Sequence, residues 1–243
     1  MNLRSTIKLL LLHLGSLINR NHRSKYVYYH DVIGDESYSD MDTPLEKFRQ
    51  HLAVIRAEGY EIVPRITKDE GQVAILFDDG RRGIWDVREF FYENGLQPTI
   101  FLAVNLIGQP GFLTKDEILE LQAHGFIFEG HAWSHEALTT FNDDDLKREL
   151  GESKTYLSQL LGKEVTEICL PIGYFSTHLL EELEKYDYKT IYSSIPGSWN
   201  QLVHGRMQPR HCLQFSSEKE VKYILRGGND GLKKRYEKLH YFG

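Results

Sequence analysis

The chain has 243 residues, with 29 Lys and Arg against 35 Asp and Glu, and 41% of it is apolar. A net charge of −6 argues against a broad electrostatic nucleic-acid binder, and this composition is that of a globular chain rather than a disordered or multi-span membrane one. Two cysteines, Cys169 and Cys212, with no CxxC spacing, make neither a disulfide scaffold nor a zinc knuckle, so the eleven histidines are the compositional feature to follow.

Ile7 to Ile18 is an apolar run interrupted by His13 and flanked by Arg4, Lys8, Arg20 and Arg23. It is shorter than the ~20 residues of a membrane span, and no small-x-small cleavage site follows it. Residues 1–25 are read as a first amphipathic helix packed on the domain. A basic segment on an anionic membrane surface is the alternative, which leaves the location cytoplasmic or membrane-associated.

Strand and helix patterns then alternate. Tyr26–Tyr29 is a short β-prone run. A helix is predicted from Thr43-Pro44, with Pro at its first position, to Glu58-Gly59. Strands follow at Ile62-Val63 and Val73–Phe77. A helix is predicted over Gly83–Asn94 with Gly95 as its stop, then a strand at Thr99–Ala103. Thr114 and Glu117 form a capping box for a helix reaching His124-Gly125. Phe126–Glu129 reads as strand, Asn142–Asp145 caps a long helix ending at Leu161-Gly162, and Glu167–Leu170 reads as strand. Ser176–Tyr186 (helix), Lys189–Tyr192 (strand) and a last helix from Ser216-Ser217-Glu218 complete the chain, with Leu232–Lys238 as a solvated basic patch.

Alternating strands and helices imply a mainly parallel sheet. With no linker and no phosphate-binding Gly-rich turn, residues 26–243 are expected to form one closed or nearly closed α/β barrel rather than a doubly wound sheet. In a barrel the site lies just past the strand C-termini. Those positions hold His30-Asp31, Asp78-Asp79-Gly80, Gly130-His131 through His135, and Pro171-Ile-Gly173. Singly, Asp-Asp-Gly is an ordinary turn and an HxxxH pair is weak evidence; together they are a constellation. One carboxylate and two imidazoles make a three-ligand divalent-metal site with a position open for water, a second carboxylate can serve as general base, and an imidazole suits protonation of a departing amine.

Leu76-Phe-Asp-Asp-Gly80 together with His131-Ala-Trp-Ser-His135 resembles the two signature motifs of the NodB-type polysaccharide deacetylases, a carbohydrate esterase family. The likeness runs from about Tyr26 to Tyr192. It implies a distorted (β/α)7 barrel in a single domain, Asp78 as catalytic base, and Asp79, His131 and His135 as ligands of a divalent metal, commonly zinc, with cobalt, nickel and manganese sharing these ligand preferences.

Two family features are altered. The Arg-x-Pro-Tyr-Gly motif, whose arginine orients the base, reads Cys169-Leu-Pro-Ile-Gly173 here, though a backbone N–H near Ile172 can still serve an oxyanion. The late Leu-x-His strand has no good match, His204 and His211 being poorly placed. A branch acting on poly-N-acetylglucosamine instead carries an early Tyr-His motif and a Phe-containing helix ending in Gly-Tyr; Tyr29-His30, Phe48 and Gly59-Tyr60 are similar, which assigns His30 as general acid. Arg81 and Arg82 are read as solvated, with anion binding or support of Asp78 as the alternative, and Arg210 is a candidate for the same two tasks. Tyr28, Tyr174 and Trp199 are expected in core or surface roles, Trp133 as packing that stiffens the histidine loop, and Cys169 as a buried small hydrophobe.

The resemblance implies a hydrolase that removes N-acetyl groups from an amino-sugar polysaccharide or oligosaccharide and releases acetate. The alternatives are a non-catalytic carbohydrate-binding homologue and a metal-dependent amidohydrolase acting on another N-acylated substrate.

Overall fold

The computed structural model describes residues 3–243. Helix α1 (Leu3–Ile18) precedes strand β1 (Lys25–Tyr29), and a short parallel pair, β2 (Asp31–Ile33) and β3 (Asp42–Pro44), leads into α2 (Leu45–Ala57) and β4 (Glu61–Ile62). Then come β5 (Gln72–Phe77), α3 (Gly83–Asp86), α4 (Arg88–Glu93), β6 (Thr99–Leu102), α5 (Lys115–Ala123) and β7 (Ile127–Gly130). Helix α6 (Asp143–Leu146) continues through a π-helical turn, 147–152, into α7 (Ser153–Leu161). The remainder is β8 (Glu167–Cys169), α8 (Thr177–Glu184), β9 (Thr190–Tyr192), β10 (Met207–Gln208), β11 (His211–Cys212), α9 (Glu218–Leu225) and α10 (Lys233–His240).

The main sheet is parallel throughout, in the order β10-β9-β8-β7-β6-β5-β1-β11, with β4 beside the first half of β5. Its two ends, β10 and β11, are consecutive in the chain and separated only by Pro209 and Arg210. Three Cα–Cα steps from Gln208 to His211 span at most about 11 Å. The edges of the sheet must therefore curl toward each other, and the barrel is closed by a piece of chain instead of by a hydrogen-bonded pair. Arg210 stands in that seam.

Strand alternation sorts side chains between two layers. Val27, Tyr29, Ile75, Phe77, Ile100, Leu102 and Phe128 pack with Phe48, Leu52, Ile55, Phe91, Ile118 and Leu121 of the helices. Their neighbours Tyr26, Tyr28, Ala74, Leu76, Phe101, Cys169 and Tyr192 form a separate buried cluster inside the curl. Because both faces are covered, the strands read as continuous apolar runs, as buried parallel strands do.

Several expected elements differ in detail. Pro44 stands one residue before its helix, in extended backbone (φ −55°, ψ 138°) paired with Ile33, so it ends β3 rather than beginning α2. The helix predicted over 83–94 is broken at Val87 (φ −109°, ψ 18°). Asp31 explains where its first half begins: its two carboxylate oxygens accept from the Gly83 and Ile84 N–H groups at 2.9 Å each. A Cβ on Gly83 would lie 2.7 Å from those oxygens, so only glycine fits. The helix opened by the Ser217 cap is not the last one; the basic stretch read as a solvated patch is α10, where Lys233 donates to the Gln201 and Leu202 carbonyls.

Helix α1 packs on α9 through its buried Leu12 and Ser16, and Lys8 pairs with Glu220 at 2.9 Å. Residues 1 and 2 of the expected N-terminal segment lie outside the described residues. Among the described residues no helix is long and apolar enough to cross a membrane.

Candidate active site

The strand C-termini converge on one cavity of about 1220 Å³, whose walls include His30 after β1, Asp78 and Asp79 after β5, His131 and His135 after β7, Ile172 after β8, and Arg210 in the seam. The strand-end rule thus brings together His30, Asp78, Asp79, Arg81, His131, His135, Ile172 and Arg210. Tyr174 and Trp199 line none of it: Tyr174 packs on His240 and Phe242, and Trp199 on the cluster inside the curl.

Asp78 is buried and held from two sides of one guanidinium. Arg210 Nη1 donates to its Oδ1 at 2.7 Å and Nη2 to its Oδ2 at 2.9 Å. Arg210 Nε donates to the Ser193 carbonyl at 2.9 Å, and the guanidinium lies over the Tyr28 ring at 4.2 Å from its centroid. Burial alone would raise the Asp78 pKa, but the Arg210 charge and its hydrogen bonds outweigh it and hold the carboxyl below the usual carboxylate range. Of the two tasks open to Arg210, the structure selects support of Asp78, because both forks of the side chain are spent within the protein. Cys169, at the altered motif position, has its sulfur 2.9 Å from Arg210 Nη2. An arginine side chain from 169 would overlap the one from 210, so the small residue and the relocated arginine are one arrangement. Cys169 is buried as expected but touches this polar cluster as well.

Asp79 Oδ1 faces His135 Nε2 at 2.9 Å and His131 Nε2 at 3.4 Å. Burial, which would raise its pKa, is outweighed by the hydrogen bonds and charges of these two rings, and Asp79 stays ionised far below the ordinary range. His131 Nδ1 is 2.8 Å from the Cys169 carbonyl, an acceptor only, so the Nδ1 proton is fixed there and Nε2 presents its lone pair to Asp79. A lone pair and a carboxylate oxygen repel unless a proton or a metal cation stands between them. That tautomer-fixing carbonyl is the usual outer partner of a metal-bound histidine. The three ligand atoms lie within 4.8 Å of one another, and the set fits a divalent cation.

The histidine loop is not a helical turn. Ala132 (φ 62°) and His135 (φ 68°) are left-handed, as are Asp79 (φ 72°) and Ile172 (φ 62°). Such non-glycine conformations cost about 1–3 kcal/mol each and persist where the surroundings force them. Buried Glu149 does so here, its Oε2 accepting from the Trp133 N–H at 3.0 Å and the Ser134 N–H at 2.9 Å. Glu149 stands in the π-helical turn, a wider coil often found at functional sites. Trp133 packs edge-on against Tyr156 and under Arg148, in keeping with a stiffening role.

Arg81, read as solvated, is instead mostly buried: its Nε lies 3.2 Å from Asp79 Oδ2 and its guanidinium lies over Phe112. It supports Asp79 and leaves Asp78 to Arg210. Arg82 pairs with Glu117 at 3.0 Å and does not line the cavity. His204 stacks on Tyr241 away from the cavity wall, whereas His211, read as poorly placed, is buried on β11 and does border the cavity.

Gln214 and Glu149 are site residues that sequence reasoning missed. Gln214 Oε1 accepts from the His30 backbone N–H at 3.0 Å and meets His30 Nδ1 at 2.6 Å, while its carbonyl takes Lys47. An amide oxygen accepts only, so Nδ1 carries hydrogen and His30 Nε2 is left for the cavity. Nothing around Gln214 in the sequence marks it, since the adjoining strand is two residues long.

A model of the family described as polysaccharide deacetylase matches residues 65–191, just over half of the chain. The chain is 26% identical over 181 residues to the Bacillus subtilis (strain 168) protein YxkH, assigned by description to polysaccharide deacetylases, covering 70% of this chain and 64% of that protein. It is 28% identical over 127 residues to an uncharacterised 30.6 kDa protein of Geobacillus stearothermophilus, covering 51% of this chain and 46% of that one. The chain thus spans under two thirds of both relatives. Among solved structures, the Streptococcus pyogenes deacetylase PplD in complex with acetate superposes with a TM-score of 0.74 at 18% identity, covering 84% of this chain and 98% of that one. IcaB from Ammonifex degensii gives 0.73 at 15%, covering 85% and 98%. Those two share the expected barrel. With the family model, the two motifs and the barrel in agreement, the chain belongs to the polysaccharide deacetylase family.

Proposed function

We propose that the protein is a metal-dependent deacetylase that hydrolyses the N-acetyl group of an amino sugar in a polysaccharide or oligosaccharide. The observation that carries this reading is the meeting of a three-ligand set, Asp79, His131 and His135, with a separately held carboxylate, Asp78, in one cavity. A mere sugar binder has no need of a buried ion pair beside ligand-spaced histidines.

A divalent cation held by Asp79, His131 and His135, zinc by the donor set, supplies Lewis acidity toward the acetamide carbonyl and toward water. Water adds to the acetamide carbon and its proton passes to Asp78. Arg210 keeps both Asp78 oxygens aligned and its charge form fixed. The tetrahedral oxygen is within the province of the backbone at Ile172, whose left-handed conformation turns that peptide at the cavity wall. The C–N bond breaks as nitrogen takes a proton from Nε2 of His30 in its doubly protonated form, giving acetate and the free amine, and the water proton held by Asp78 then returns to His30 Nε2. The early Tyr29-His30 pair in this role supports the branch that acts on poly-N-acetylglucosamine.

Acetate release from N-acetylglucosamine oligomers, measured with metal content on the same sample, tests the reading. Chelation should abolish turnover and zinc restore it. Asp79→Ala, His131→Ala and His135→Ala should lose metal, whereas Asp78→Asn should keep metal and lose turnover. Full acetate release by the metal-free protein would contradict the proposal.

A further inference from the structure

The catalytic cavity does not end at the polar residues. One of its walls is α1, which contributes Ile7, Leu11, Leu14 and Ile18. These four recur at intervals of four, three and four residues, so they form one stripe along the helix. The stripe is about 16 Å long at 1.5 Å per residue. All four are exposed, Ile18 by 80% and Leu11 by 58%, although they face a concave surface. Phe215, 60% exposed, and Ile172, 53% exposed, stand on the same cavity. Lys8 pairs with Glu220, Arg81 with Asp79 and Arg210 with Asp78, so these cations of the cavity are already matched by carboxylates. At about 1220 Å³ the cavity also exceeds the roughly 300–1,000 Å³ of an ordinary small-molecule site.

An oligosaccharide alone has no use for such a wall, since a sugar hydroxyl set against leucine loses water and gains no partner. We infer that the substrate is amphiphilic: an N-acetylated amino sugar carrying an aliphatic chain, with the acetamide at Asp78, Asp79 and the histidines and the chain along the α1 stripe. This rests on the deacetylase reading and specifies its substrate class. Continuity of the apolar groove with the polar floor commits it to a chain on the substrate. Leu10 and Leu17, exposed beside the stripe on α1, do not line the cavity, so they report on a bilayer contact separately from the groove.

The full metal-loaded chain is titrated by calorimetry with dodecyl and methyl glycosides of N-acetylglucosamine, both below the micelle concentration, and acetate release is followed in parallel. The dodecyl compound should bind at least tenfold tighter. The Leu11→Asp/Leu14→Asp variant should erase that ratio, while Leu10→Asp/Leu17→Asp, beside the stripe but off the cavity, should keep it. Equal affinity for the two glycosides would overturn the inference, as would a preference that survives Leu11→Asp/Leu14→Asp. Sedimentation with phosphatidylglycerol vesicles that is lost only with Leu10→Asp/Leu17→Asp, together with equal glycoside affinities, would assign the apolar surface to a membrane instead. A dodecyl preference without acetate release from either compound would uphold the groove and overturn the deacetylase reading.

Discussion

Arg210 and Asp78, 132 positions apart in the chain, form a two-pronged buried ion pair at 2.7 and 2.9 Å across the seam where the sheet closes. The pair converts barrel closure into alignment of the proposed base. Charges taken out of water lose hydration, and only good geometry offsets that loss. Here the guanidinium also bonds the Ser193 carbonyl and rests on Tyr28, so little of it is left unmatched.

Arg210→Met should therefore leave an unpaired buried carboxylate and cost about 3–5 kcal/mol of stability. Arg210→Lys keeps the charge but cannot grip both oxygens, so the chain should fold while kcat falls by roughly 10² from misalignment, with KM little changed. Urea titration and steady-state acetate release separate these effects. An unaltered kcat in Arg210→Lys would show that the second prong is dispensable.

His30 and Gln214 make a second pair with a checkable division of labour. His30→Ala should retain metal and lose on the order of 10²–10⁴-fold in kcat, the usual scale of a general acid. Gln214→Leu removes the acceptor that fixes the tautomer and should lose about tenfold, part of the same contribution. Metal analysis with kinetics on both variants decides it, and metal loss on changing His30 would move that residue into the ligand set.

Glu149 touches the proposed metal ligands only through the backbone of their loop. Glu149→Leu leaves the Trp133 and Ser134 N–H groups without their acceptor, at about 1–3 kcal/mol for each such group. With the loop free to relax from its left-handed conformations, zinc affinity should fall about 10–100-fold, the range seen for outer-sphere partners. Competition against a chromogenic chelator measures this, and wild-type affinity in a folded variant would contradict it.

His51 gives a prediction about acid stability. Its Nε2 lies 3.0 Å from the Ser216 carbonyl, so Nε2 carries the hydrogen and Nδ1 accepts from the Tyr29 hydroxyl at 3.0 Å. Protonation would replace that acceptor with a second donor. Burial, with the nearby Lys47 charge adding to it, pushes the His51 pKa down to about 4 from 6.5. The unfolded chain therefore binds this proton first as pH falls. The stabilisation is complete above pH 6.5 and is lost between there and about pH 4, worth about 2–3 kcal/mol. His211, buried on β11 and pushed to about 4, acts in the same direction. His51→Gln, which can still bond both partners, should show a shallower loss of melting temperature between pH 7 and 4.5 than wild type. Parallel curves would remove His51 from the account.

The proposed ligands and base were legible because their signals are local. Asp-Asp-Gly after an apolar run and two histidines four apart after another are short patterns, and parallel topology puts all strand C-termini at one end. The strands β10 and β11 were missed for the opposite reason: two residues are too few to show a period, and their pairing partners are far along the chain. The π-helical turn likewise leaves no mark in the spacing of 142–161, which reads as an ordinary helix.

The sequence by itself determined the alternating architecture, the residue types at the strand ends and the family motifs, all set by short-range backbone and side-chain preferences. It also showed Cys169 where the family motif it resembles carries the arginine that orients the proposed base. Only the tertiary structure decided what replaced it. Arg81, Arg82 and Arg210 were all open as supports of Asp78, the first two read as solvated, until sheet closure carried Arg81 to Asp79 and Arg210 to Asp78. That choice depends on how far the sheet curls, which is a property of the whole packed barrel and of no local segment.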